Sequence, residues 1–180
     1  MTSGRPARVV LTGFMGAGKT TVGPLVARRL GWDFLDLDDE IVAAAGRSVA
    51  EIFAEMGEAA FRDAERAAAA RACAREHLVL ATGGGAFTVT ATRELLRQGA
   101  LTVWLRCDLD ALLTRIPDDG SRPLAANRAT IGPLLAGRER SYALADLVVD
   151  TTRIAPDDAA RIIAEAATRG GHDGGGTAEG

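Results

Sequence analysis

Residues 13–20 read Gly-Phe-Met-Gly-Ala-Gly-Lys-Thr, and no other segment constrains the chain as much. They fit the pattern G-x-x-x-x-G-K-[ST] in full. A Val/Leu-rich run over residues 8–12 precedes them, as a short buried strand would. A helix-like stretch over residues 19–30 follows, with Val22, Leu25, Val26 and Leu30 on one face. Glycines at these places let the backbone curl until successive N–H groups point inward at phosphate oxygens. The helix opening at Lys19 adds its partial positive end. Lys19 brings a mobile charge to the outer phosphates, and Thr20 a hydroxyl able to ligate Mg²⁺. Gly13, Gly16, Ala17, Gly18, Lys19, Thr20 and Thr21 are therefore the expected nucleotide contacts.

The rest of the chain alternates in the same way. Strand-like runs fall at residues 33–37, 78–81, 101–105 and 147–150. Helix-like runs fall at residues 41–45, 49–56, 58–75, 90–98, 109–115, 131–145 and 156–168. Ser48 and Glu51 have capping-box spacing ahead of the second of these. Alternation of this kind predicts βαβ units, a parallel sheet and helices on both faces, a three-layer α/β/α fold. Functional groups are then expected at the carboxyl ends of the strands. The 180 residues suit one domain, expected over residues 1–169, with a disordered Gly-rich tail at 170–180. Residues 117–127 carry Pro, Gly, Asp, Ser and Arg without periodicity and read as a mobile loop.

Bulk properties narrow the function only by exclusion. The net charge of -3 gives no basic surface for nucleic acid or membrane. No apolar run is long enough to cross a membrane, and residues 1–8 lack the apolar core of a signal peptide. Cys73 and Cys107 have no metal-like spacing and read as two isolated thiols of a cytoplasmic protein. No long exposed apolar stripe is evident, so a monomer is expected.

Strand 78–81 ends in Thr82 and three glycines, without the acid that often holds a metal there. Asp36-Leu37-Asp38 offers a replacement. On a strand, residues two apart face the same way, so Asp36 and Asp38 are expected to enter a cleft together while Leu35 and Leu37 pack inward. A hydrated Mg²⁺ would answer Asp36, and a substrate hydroxyl would answer Asp38, which could take its proton. Alternatively these acids begin a solvated loop and cap the next helix. Arg62 lies three residues before Glu65, so that Glu65 could fix one edge of the guanidinium while the other meets a ligand carboxylate. A plain surface ion pair is the other possibility. Arg122, in the mobile loop, could neutralise charge on a transferring phosphoryl group. Arg138, on a helix with Arg140, is open to the same two readings.

Taken in order and spacing, these pieces resemble the shikimate kinase family over about residues 9–167. The matching segments are Gly13 to Thr20, Asp36-x-Asp38, Gly46-Arg47-Ser48 with Glu51-Ile52-Phe53, Gly57-Glu58, Phe61-Arg62-x-x-Glu65, Gly83-Gly84-Gly85, Arg122-Pro123-Leu124, Arg138-x-x-x-Tyr142 and Val149-Asp150-Thr151. The resemblance implies a P-loop NTPase with a five-stranded parallel sheet in the order 2-3-1-4-5, and transfer of the ATP γ-phosphoryl to the 3-hydroxyl of shikimate. It implies that Asp38 holds the shikimate hydroxyls as candidate base, and that Asp36 binds Mg²⁺ through water beside Thr20. Arg62 and Arg138 would clamp the carboxylate, Gly83, Gly84 and Gly85 would face the ring, and Phe53 and Phe61 would wall the pocket. Arg115 and Pro156 would sandwich adenine. Residues 38–65 would then hold shikimate, and residues 116–127 would form a lid carrying Arg122. The chain departs from the family at Ala125 and Arg140, and Ile131-Gly132-Pro133 is expected to break the usual helix. A kinase for another small hydroxy acid such as gluconate, and a catalytically silent nucleotide-binding module, are the alternatives.

Overall fold

The structure, a computed structural model, describes residues 5–116 and 128–169. The Val/Leu run after Ala7 forms β1 (Arg8–Thr12), which lies at the centre of a five-stranded sheet. Its neighbours are β3 (Leu78–Ala81) and β4 (Ala100–Arg106); β2 (Asp33–Asp36) and β5 (Leu147–Asp150) form the edges. All four pairings are parallel, in the order β2-β3-β1-β4-β5. Val9, Val10 and Leu11, like Leu78, Val79 and Leu80, are 0% exposed, so both faces of the central strands are covered. That is why these strands read as unbroken apolar runs instead of alternating ones.

The helices are α1 (Lys19–Leu30), α2 (Leu37–Ala45), α3 (Val49–Cys73), α4 (Thr90–Arg97), α5 (Leu109–Arg115), α6 (Ile131–Tyr142) and α7 (Pro156–Arg169). α1 packs against α7 and along β3. Gly23 of α1 has no room for a side chain, because a Cβ there would lie 2.2 Å from the Phe34 ring of β2. The register pairs Asp36 with Ala81 and Ala81 with Leu11. The ends of β2, β3 and β1 are therefore level, and Asp36, Thr82 and Gly13 emerge together at the carboxyl end of the sheet.

Several expectations change. The second strand ends at Asp36, not Leu37, and the next helix starts at Leu37 instead of Ile41. Asp36 is its N-cap: its carboxylate accepts from the Asp38 N–H at 3.0 Å, which turns the chain out of the sheet. Asp36 and Asp38 thus do not share a strand face. The break expected between residues 49–56 and 58–75 is present at Gly57 (φ 81, ψ 174), as is the capping box at Ser48 and Glu51, while the second piece ends at Cys73. Residues 131–133 do not break their helix. α6 starts at Ile131, and Pro133 falls in its first turn, where the missing N–H has no partner to lose. A short 3₁₀ turn over Ala86–Thr88 follows the glycines and has no counterpart in the expected elements.

Candidate active site

Gly13, Gly16 and Gly18 have φ of 140°, 80° and 104°, which residues with a Cβ rarely adopt. The loop they form wraps the first turn of α1. Lys19 Nζ donates to the carbonyls of Gly13 at 2.7 Å and Phe14 at 2.9 Å, so the ammonium is folded over its own loop. A cavity of about 440 Å³ opens above it. Gly16, Ala17, Gly18, Lys19, Thr20 and Thr21 line it on one side, and Arg115, Thr151 and Pro156 on the other. Arg115 is held by the carbonyls of Thr151 and Thr152 and by the Cys107 sulfur. The Thr151 hydroxyl donates to Ala17 O at 2.9 Å and so ties the β5–α7 connection to the phosphate loop. Thr20 Oγ1 donates to Asp36 Oδ2 at 3.0 Å. These two oxygens, beside the loop, are hard donors of the kind a Mg²⁺ ion takes along with phosphate oxygens and water. At the end of β3, where no acid stands, Thr82 instead donates its hydroxyl to Leu11 O.

A second, smaller cavity of about 70 Å³ adjoins the first. It is lined by Phe53, Phe61, Arg62, Glu65, Gly83, Gly84, Gly85 and Arg138, among others. Met15, Asp38 and Gly84 line both cavities, so Asp38 stands at their junction. The Phe53 and Phe61 rings pack at 4.6 Å between centroids, and the Arg62 guanidinium lies 5.4 Å from the Phe61 ring centre. Arg62 donates to Glu65 at 2.8 Å and to Glu58 at 3.2 Å. Burial pushes the Arg62 pKa down, but the bonds and charges of Glu65 and Glu58 outweigh it and hold it above the usual value. Burial likewise pushes the Glu65 carboxyl above its usual range, against the pull of Arg62 and with help from the charge of Asp38. Glu65 Oε1 is buried and has no hydrogen-bond partner among the described residues. Arg138 is buried too, with its guanidinium 5.7 Å from the Phe14 ring centre.

The three glycines after β3 make this crowding possible. A Cβ on Gly83 would lie 2.8 Å from Asp38 Oδ1 and 3.1 Å from Glu65 Oε1. On Gly84 it would lie 3.1 Å from Arg138 Nη1, and on Gly85 2.5 Å from Arg62 Nη2. Each glycine leaves space for a different charged group.

With two adjoining cavities in place, the comparisons with known proteins decide between the alternatives. The shikimate kinase family model matches residues 15–168. A shikimate kinase of Paramagnetospirillum magneticum is 46% identical over 159 residues, covering 86% of this chain and 82% of that one. One of Moorella thermoacetica is 46% identical over 163 residues, covering 89% of this chain and 94% of that one. The chain belongs to the shikimate kinase family. The solved shikimate kinase of Acinetobacter baumannii, in complex with shikimate, superposes with a TM-score of 0.86 at 37% identity, covering 91% of this chain and 93% of that one. A gluconokinase of Sinorhizobium meliloti reaches a TM-score of 0.52 at 18% identity over 92% of this chain and 93% of that one, a likeness of fold alone.

The residues expected from a shikimate kinase site fall into two groups. Gly13 to Thr21, Asp36, Arg115 and Pro156 surround the larger cavity or its loop. Phe53, Phe61, Arg62, Gly83, Gly84, Gly85 and Arg138 surround the smaller one, with Asp38 common to both. Arg122 and all but the first residue of the expected lid lie outside the described residues, as does the tail. The sequence reading did not single out Thr151 as a brace, nor Tyr142 behind Gly84. Both stand in segments that match the family, but neither type nor spacing showed what its hydroxyl bonds.

Proposed function

We propose that this kinase uses ATP to phosphorylate the 3-hydroxyl of shikimate, giving shikimate 3-phosphate and ADP. The observation that carries this reading is the junction of the two cavities at Asp38, with a phosphate loop on one side and two arginines on the other. The larger cavity has room for a nucleotide between Arg115 and Pro156, which flank adenine in this reading, while the loop N–H groups and Lys19 take the phosphates. Thr20 and Asp36 hold Mg²⁺, which when bound supplies positive charge to the phosphate oxygens. In the smaller cavity Arg62 and Arg138 bind the shikimate carboxylate, and the two charges select an anionic ring. Phe53 and Phe61 cover its apolar side. Gly83, Gly84 and Gly85 let the ring approach, and Asp38 and the unpaired oxygen of Glu65 accept from its hydroxyls. Asp38 takes the proton of the attacking hydroxyl as phosphoryl transfer proceeds. Arg122, which the family resemblance assigns to the reaction, supplies positive charge to the transferring phosphoryl group. The enzyme acts as a cytoplasmic monomer, which sedimentation of the pure protein and cell fractionation check.

Release of ADP with shikimate, gluconate and nucleoside monophosphates as acceptors tests the proposal. Turnover with shikimate far above the others is expected. Preference for gluconate would overturn the acceptor assignment, and ATP binding with no ADP from any acceptor would overturn catalysis itself.

A further inference from the structure

The chain contains a single tyrosine, Tyr142, the last residue of α6. Its side chain is 0% exposed, so it cannot itself touch a ligand. Its ring packs against Trp104 of β4 at 5.9 Å between centroids. Its hydroxyl crosses from α6 to the loop after β3 and donates to the Gly84 carbonyl. A planar trans peptide carries its C=O and N–H on opposite edges. Fixing the Gly84 carbonyl on the tyrosine therefore turns the Gly85 N–H away from it. Gly84 and Gly85 line the smaller cavity, and Tyr142 lies behind them. One helical turn earlier on α6, Arg138 hydrogen-bonds the same phenol oxygen and attracts it. Arg138 Nη1 also lies 3.1 Å from the place a Gly84 Cβ would occupy. Burial pushes the phenol up to about 12, against the pull of Arg138, so it stays a proton donor at any working pH.

We propose that Tyr142 is a positioning residue for the acceptor: its hydroxyl sets the Gly84–Gly85 peptide and the Arg138 guanidinium together, and so governs affinity for shikimate but not for nucleotide. This rests on the acceptor reading above. No packing contact accounts for a hydroxyl here, since phenylalanine would fill the same space beside Trp104. The hydroxyl is what links the two sides of the cavity.

The test is Tyr142→Phe, with Kd for shikimate and for ADP measured by calorimetry beside the steady-state KM values. Loss of one hydrogen bond predicts shikimate Kd and KM raised about three- to tenfold, with ADP Kd within about twofold. Equal weakening of both ligands would make the residue merely structural and overturn the proposal, as would unchanged shikimate affinity. Wild-type protein that binds ADP but no shikimate would overturn the acceptor reading and this proposal with it. Wild-type and Tyr142→Phe binding shikimate equally would overturn this proposal alone. Should the variant not fold, wild-type protein grown with 3-fluorotyrosine gives one ¹⁹F resonance. Saturating shikimate should shift it and saturating ADP leave it in place; a resonance insensitive to shikimate would overturn the proposal.

Discussion

The two halves of the site are built in opposite ways. The phosphate side is one stretch of eight residues, Gly13 to Thr20, and most of what it offers is backbone. The smaller cavity, the acceptor side in the proposed reading, is assembled from residues 38, 53, 61, 62, 65, 83–85 and 138, among others, and what it offers is mainly side-chain charge. On the phosphate side Thr20 is exposed and the lysine only half-buried. On the acceptor side Glu65 is 1% exposed and Arg138 9%, so charges are held out of water by their neighbours. A local, backbone-built site depends little on the rest of the fold. A site of buried charges depends on every partner, since an ion left unpaired in the interior is costly. Changes on the phosphate side should therefore alter rate, and changes on the acceptor side should alter affinity and stability together.

Lys19→Ala should strike hardest, lowering kcat by about 10³-fold, as loss of a preorganised charge at a reacting group does. Thermal stability should change much less, because the Lys19 ammonium donates to carbonyls of its own loop, Gly13 and Phe14, and bridges no distant segment through them. A coupled ADP assay and a melting curve read both; near-normal turnover would remove the loop from the chemistry. Asp38→Asn, at the junction of the cavities, should cost about 10²-fold in kcat, the range of a lost general base. Nucleotide affinity should persist. Equal loss of rate and nucleotide affinity would move Asp38 to the phosphate side of the comparison.

The same contrast explains what was legible in the sequence. The phosphate loop was complete in advance, because its chemistry follows from residue order within one turn of chain. The fold followed from alternation, and β1 and β3 kept their expected bounds, since runs buried on both faces leave a plain apolar signature. Asp36 and Asp38 line one cavity, but through the helix-capping turn offered as the alternative and not through a shared strand face. A two-residue strand period and an N-cap turn both bring such a pair together, and the capping bond that decides between them is invisible in the residue types. The acceptor side was legible only as scattered fragments. That Gly83, Gly84 and Gly85 each make room for a different charged group depends on contacts between distant segments. None of these three glycines has positive φ, so a turn rule alone would have found no need for them.

Arg62→Ala should raise the shikimate KM about 30-fold, as truncating one member of a buried hydrogen-bonded pair does. It should also destabilise the protein, because Glu65 is left without its main partner. The sign of the pH dependence follows from Glu65. Burial raises its folded pKa above the ordinary 4.5, so the folded state holds the proton more tightly than the unfolded one. Stability is then fully present below 4.5 and is lost as pH rises through the folded value. Removing Arg62 removes an attraction that opposes burial and pushes that value higher. The melting deficit of the variant against wild type should therefore grow from acid to neutral pH. A constant deficit would mean that Glu65 is charged at no cost, and the contrast between the two sides would fail on its electrostatics.

Gly85→Ala should have the smallest effect and the clearest cause. Gly85 has φ −99° and ψ −18°, which alanine adopts without strain, so only space is at issue. The added Cβ would lie 2.5 Å from Arg62 Nη2 and 2.6 Å from Nη1, and the flexible arginine must give way. Shikimate KM should rise about fivefold, a shift of the size contacting residues show, while the KM for ATP stays unchanged. A double-mutant cycle isolates the cause. In an Arg62→Ala background there is no guanidinium to displace, so Gly85→Ala should then change shikimate KM very little. Full additivity of the two effects would show that Gly85 meets the acceptor directly, and the glycine would belong to the backbone-built half of the site after all.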